Sequence, residues 1–171
     1  MATSTFFDRK QRFWVGDALG TAEDLAENYF RVDLKDCDRF PYDLQTLIHL
    51  KREEKTARAL AQVCKYEYQK GSRFQGVRRK SFYRICLQDD KILELAKMEK
   101  SALLKPLLLY VVAHELIHVI RFSLDPGRFH LSPAEKKIEE KNVHRLTYEL
   151  LRPMGDQKIE MLLERYRPLG I

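Results

Sequence analysis

The sequence predicts an α+β domain, mostly α, with one buried helix and a small β-sheet beside it. Three observations lead there. His114-Glu115-Leu116-Ile117-His118 lies inside the apolar run from Val111 to Ile120. Ser132-Pro133-Ala134-Glu135 places a capping residue, a proline and a carboxylate in the order that opens a helix. Phe82-Tyr83-Arg84-Ile85-Cys86-Leu87 has the aromatic and β-branched composition of a strand.

A chain of 171 residues, 44% of them hydrophobic, suits one domain with its own core. We divide it into an N-terminal helical part (1–70), a metal-site core (80–153) and a C-terminal helix (155–171). A net charge of +6 fits contact with nucleic acid or acidic partners, and equally a solvated surface. The basic residues gather between Lys70 and Lys80, with Gly71 and Gly76 among them, which reads as a solvated loop; nucleic acid stays the weaker option. Cys37, Cys64 and Cys86 are far apart and form no CxxC pair, which argues against a zinc ribbon or a disulfide scaffold and for reduced thiols in the cytoplasm. Residues 1–15 carry charges throughout and hold no signal-peptide core. Leu103 to Ile120 is interrupted by Lys105, Pro106, His114, Glu115 and His118, which reads as too polar to cross a membrane.

Taken in order, Phe6, Phe7, Phe13 and Trp14 are docking anchors ahead of a helix capped by Thr21 and Asp24 and running to Phe30. Three- and four-residue steps through Leu44, Leu47, Ile48, Ala57, Leu60, Ala61, Cys64 and Tyr68 predict helix from Tyr42 to Tyr68, with His49 on its apolar face. The strand Phe82–Leu87 turns at Gln88-Asp89-Asp90 into a second strand, Lys91–Leu95, or else into a helix from Asp90 to Lys100. Pro106 opens the motif helix, which runs to Phe122, and Leu124 to Arg128 is a turn. The helix capped by Ser132 runs to Leu151 and stops at Pro153. Asp156 caps the last helix, which aligns Ile159, Leu162, Leu163 and Tyr166 on one face.

The chemistry resides in the five-residue motif. Residues four apart on a helix share a face, so His114 and His118 can reach one metal ion, and the Glu115 carboxylate can reach a water on it. This is the zincin arrangement: two His ligands, a general base, and a tetrahedral zinc with one open position. A third protein ligand is needed, and His130, Glu135, Glu139, Glu140 and His144 are the candidates. The position six residues after His118 is Leu124, which excludes the metzincin class. Glu139 and Glu140 flank the apolar face of Val143, Leu146, Leu150 and Leu151 at similar angles, so periodicity cannot choose between them. Only Glu140 has a histidine one turn later, His144, placed to hydrogen-bond a metal-bound carboxylate, which favours Glu140.

Glu139-Glu140-Lys141-Asn142-Val143-His144-Arg145-Leu146-Thr147-Tyr148-Glu149-Leu150-Leu151-Arg152-Pro153, following HExxH, resembles the ImmA/IrrE metallopeptidase family over about Tyr110 to Pro153. Aligning Leu150-Leu151-Arg152-Pro153 with the family's closing pattern puts Glu140 at its third ligand. Ile117 stands where the family has Gly, Val143-His144 where it has Ala-Asn/Asp, and Leu146-Thr147 where it has Phe-Ala. The resemblance implies a gluzincin-like minimal metalloprotease fold, one zinc per monomer held by His114, His118 and Glu140, and hydrolysis of a protein or peptide with Glu115 as base. Tyr110 and Tyr148 are candidate oxyanion donors. The alternatives are a zincin-fold regulator with little hydrolysis, and a DNA-associated protease similar to the SprT-like group, in which His130 would be the third ligand.

Overall fold

The structure, a computed structural model, describes residues 5–71, 74, 76, 78–98 and 103–166. Among the described residues five α-helices and a three-stranded sheet make a mostly helical α+β fold: α1 (Arg9–Phe30), β1 (Tyr42–Gln45), β2 (Ala61–Lys70), β3 (Arg78–Leu87), α2 (Asp89–Met98), α3 (Leu104–Leu124), α4 (Pro133–Leu151) and α5 (Gln157–Arg165).

The motif helix α3 is the centre of the molecule. It is buried almost all round, as an apolar run on every face requires, and α1, α2, α4, α5 and the sheet pack against it. By length and composition it could cross a membrane, contrary to the sequence expectation, yet 83% of its most apolar window is buried within the protein. The small residues Ala18, Ala22 and Ala26, with Val15, let α1 lie closely against it.

Helix α1 starts at Arg9, well before the expected Thr21. Asp8 is the true cap: its carboxylate accepts the Gln11 N–H at 2.7 Å and the Gln11 side chain accepts the Asp8 N–H at 2.9 Å. Arg31 closes the helix in the left-handed region (φ 55°).

The larger correction concerns Tyr42 to Tyr68, expected as helix and found as β1, two 3-10 turns (Leu47–His49 and Arg52–Glu54) and β2. Strand order is β1-β3-β2, with β1 parallel and β2 antiparallel to β3. Pairing runs the full length of β2, from Ala61 opposite Leu87 to Lys70 opposite Arg78. That ladder pairs ten residues with β3 along one side of the strand, and a spacing of apolar side chains along one segment carries no record of it. Among the described residues of the N-terminal part α1 is therefore the one α-helix, and His49 is exposed on a 3-10 turn. Residues 91–95 lie in α2, so the helical option holds there and the sheet finds its partner upstream. Buried Asp89 opens α2 and accepts the Phe7 and Leu47 N–H groups, both at 2.9 Å, which ties the N-terminal segment to the turn after β1.

Tyr83, Ile85 and Leu87 of β3 face the α3 side of the core, and Tyr83 Oη donates to the Phe122 carbonyl at 3.2 Å. The opposite face is covered by Leu47 and Leu50 against Cys64 and Cys86, and by buried Glu54, which accepts from Tyr66 and Arg84. The basic stretch 70–80 is the tip of the β2–β3 hairpin with parts of both strands, not a plain loop; positions 72, 73, 75 and 77 lie outside the described residues. The cysteines are free thiols.

Helix α4 follows the sequence reading closely. Ser132 and Glu135 form the capping box and Pro133 opens the helix, which ends at Leu151. Asp156 caps α5, whose Ile159, Leu162 and Leu163 are buried as expected; residues 167–171 lie outside the described residues. The turn before α4 is a 3-10 turn, Pro126–His130.

Candidate metal centre

Packing of α4 on α3 brings the predicted ligands to one point. His114 Nε2 lies 2.8 Å from Glu140 Oε1, and His118 Nε2 lies 3.1 Å from Glu140 Oε2. One donor atom from each of the three falls within 4.8 Å of the other two, so the group could hold a metal ion. His114 and His118 are buried, while the Glu140 side chain is half exposed. Their one-turn spacing on α3 points both rings at the same side, and α4 supplies the carboxylate.

The proton inventory of the cluster fits a cation. The Thr147 hydroxyl donates to the Val143 carbonyl at 2.7 Å, so towards His114 Nδ1, 3.5 Å away, its oxygen can only accept. His114 then carries its proton on Nδ1, and its Nε2 lone pair faces the Glu140 carboxylate. Two acceptors this close repel unless a proton or a metal ion lies between them. His118 Nδ1 is buried with no partner. Burial disfavours a charged His118, but the Glu140 hydrogen bond and the Glu115 and Glu140 charges outweigh it and raise its pKa. Burial likewise pushes Glu140 up, but its close contacts with the His114 and His118 rings win and hold it well below the carboxylate range. Two imidazole nitrogens and a carboxylate oxygen are the donor set of a catalytic zinc site.

Glu115 lies beside this group, buried and facing the same cleft. Burial raises its pKa, only partly offset by His114 and His118. A carboxyl pushed upward is a stronger proton acceptor than a solvated one.

His144 sits where expected, one turn beyond Glu140. Its Nδ1 lies 2.7 Å from the Tyr110 hydroxyl and its Nε2 lies 3.4 Å from Glu140 Oε1. With Tyr110 donating to Nδ1, His144 keeps its proton on Nε2, towards Glu140. Tyr110 thus orients His144, and with it the carboxylate. Burial, then the nearby His114, lowers the His144 pKa, which keeps the ring neutral for this role.

The other candidates are engaged elsewhere. Glu139, the neighbour of Glu140 on the helix, points about 100° away and is held by Arg121 (2.6 and 2.9 Å) and Arg128 (3.1 Å). His130 is exposed beside Lys65 Nζ at 3.3 Å. Glu135 belongs to the capping box. Tyr148 lies under the Arg152 guanidinium, 5.6 Å from its ring centroid, and does not line the cleft.

The cleft has a volume of about 540 Å³. Ala59, Leu60, Ala61, Gln62 and Val63 line it consecutively. The last three open β2, and because neighbouring residues of a strand point to opposite faces, three in a row lining the cleft means that this end of the strand meets it edge-on. β2 is the last strand in the sheet, and among the described residues nothing pairs with that edge. Sequence reasoning missed this wall because it read the segment as helix. It also missed Thr147 and Phe122, which helical spacing could have found: Thr147 lies two turns after Glu140, and Phe122 one turn after His118. Phe129 left no signal, because the turn that carries it has no period.

No protein-family model, curated protein or solved structure matches the chain.

Proposed function

We propose that the chain is a zinc-dependent metallopeptidase of the gluzincin-like zincin type, with the ImmA/IrrE resemblance as its family context. The observation that carries this is the convergence of His114, His118 and Glu140 on one point beside buried Glu115, in a cleft bounded by a free strand edge. His114, His118 and Glu140 would hold the zinc, one per monomer. The bound ion would supply Lewis-acid chemistry, bringing the pKa of a water towards neutral and polarising the substrate carbonyl.

The chain's own groups do the rest. Glu115 takes the proton of the attacking water and delivers it to the departing amine. Buried apolar neighbours keep bulk solvent from Glu115 and strengthen its electrostatic interactions. The β2 edge offers unpaired N–H and C=O groups to an extended peptide, which would align its backbone across the metal group. Tyr110 and His144 hold Glu140 in its orientation; the Tyr110 hydroxyl, kept neutral first by burial and then by Tyr166 and Glu140, gives its one proton to His144 Nδ1 and would serve an oxyanion only by leaving that contact.

The SprT-like alternative needs His130 as third ligand, and the place of His130 beside Lys65, with Glu140 between the histidines, argues against it. The deciding experiment is metal analysis with peptide hydrolysis on wild type and Glu115→Gln. Zinc in both proteins and hydrolysis in the wild type alone would support the peptidase. Zinc in both without any hydrolysis would replace it by a zincin-fold regulator.

A further inference from the structure

We infer that Phe129 is a specificity-determining residue: with Phe122 and Val63 it forms a rigid apolar seat next to the metal group, which takes a large apolar side chain flanking the scissile bond. The seat is a substrate subsite only under the peptidase reading, on which it rests.

Its position follows from α3. Phe122 lies one turn beyond His118 and stacks on it, ring centroids 5.4 Å apart, so whatever touches Phe122 adjoins the metal group. Phe129 meets Phe122 edge to face at 5.2 Å. Val63 lines the same cleft from β2, the strand that would align the substrate backbone, so a peptide bound along that edge would run through the cleft that the two rings line.

Phe129 is placed unusually for a structural aromatic. It stands on the short 3-10 turn between α3 and α4, half exposed, and lines the cleft. Yet four neighbours hold its ring: Phe122, Tyr83 at 6.3 Å, His130 at 5.4 Å, and Lys65, whose Nζ lies 5.6 Å from the ring centroid. A ring held on several sides with one side open to the cleft has little side-chain entropy left to lose when it is covered, so it discriminates ligands well.

The cations beside the seat are paired: Lys65 Nζ, over the Phe129 ring, lies 3.3 Å from Glu67 Oε1. Arg128 at its rim is held by Glu139 at 3.1 Å and Asp125 at 3.3 Å. Its cation is thereby compensated, so it offers little to an acidic side chain. Filling a seat of this kind is worth about tenfold or more in kcat/KM for a side chain that reaches it over one that does not.

The test is cleavage of a peptide library by zinc-loaded wild type, Phe129→Ala and Phe129→Leu, read by mass spectrometry, with Glu115→Gln as the blank. We expect the wild type to favour Phe, Tyr, Leu or Met over Ala and Asp at one position adjoining the cut. Phe129→Ala should lose about tenfold of that preference, and Phe129→Leu should retain most of it. Zinc content and melting temperature show whether Phe129→Ala still folds; if it does not, the comparison moves to Phe129→Leu and Phe129→Val, expected to lose preference in that order. An unchanged preference in folded variants, or a wild-type preference for acidic residues there, overturns the seat and leaves the peptidase standing. If the wild type cuts nothing, the peptidase reading fails, and the seat is then judged by binding. Hydroxamates carrying phenylalanine or alanine on either side of the chelating group are titrated into zinc-loaded protein. A phenylalanine preference that Phe129→Ala removes upholds the seat, and equal binding of both compounds overturns it. Protein that takes up no zinc overturns both.

Discussion

Glu139 and Glu140 are chemically identical neighbours with opposite roles in this structure, and exchanging each for glutamine separates them. Glu139 is 5% exposed and carries two guanidiniums. In Glu139→Gln the Arg121 charge, on a side chain 19% exposed, loses its counter-ion. Breaking a buried pair from one side costs about 3–5 kcal/mol, and partial exposure of both arginines argues for the lower end, about 3 kcal/mol. For a chain of this length about 2–4 °C of melting temperature is lost per kcal/mol, so the expected fall is about 6–12 °C. Its zinc affinity should stay within a few-fold of wild type.

Glu140→Gln should do the reverse. Structural zinc sites yield about 10–16 kcal/mol over four ligands, so one charged ligand is worth about 3–4 kcal/mol, or on the order of several hundredfold in affinity. With a half-exposed side chain whose partners among the described residues are histidines, Glu140→Gln should lower the metal-free melting temperature less than Glu139→Gln does. The assays are differential scanning calorimetry of metal-free protein and competition with a fluorescent zinc chelator. If Glu139→Gln loses zinc and Glu140→Gln keeps it at wild-type affinity, the third-ligand assignment is wrong.

Further outcomes follow from the same contacts. Glu115→Gln should keep zinc and melting temperature near wild type and abolish hydrolysis, which chelator competition, calorimetry and a peptide assay check together. His144→Ala should weaken zinc about 10–100-fold through loss of the Glu140 contact, and Tyr110→Phe should weaken it less, since only the hydroxyl that orients His144 is removed. Arg121 chiefly holds Glu139 below the carboxylate range, so the pair's contribution is complete above the unfolded value of about 4.3 and is lost as pH falls through the lower folded value. Melting temperature plotted against pH should therefore drop less steeply on the acid side in Glu139→Gln than in wild type. Chelator treatment should lower the wild-type melting temperature and leave that of His114→Ala unchanged, because zinc stabilises only a fold that binds it.

Much of the candidate metal centre was legible in the chain because its logic is local. An i,i+4 histidine pair, a carboxylate between them and a capped helix with a glutamate four residues before a histidine all follow from one helical period, and α3 and α4 reproduce it. The choice of Glu140 over Glu139 needed only the residue one turn on. By contrast, the segment before residue 70 was misread because its apolar spacing is compatible with a helix taken alone, while its real partner is β3, at the far side of the hairpin.

The sequence by itself therefore determined the three candidate ligands, the buried carboxylate beside them, the capping of α4 and α5 and the burial of α3, since each depends on residues within a few turns of one another. Only the tertiary structure decided that α3 and α4 meet at the angle that joins Glu140 to both histidines, that Thr147 and Tyr110 set the ring protons, and that β2 presents its edge to the cleft. Phe129 entered the cleft wall the same way. Those features depend on contacts between distant segments, where packing of a shared core and completion of a backbone ladder outweigh local propensity.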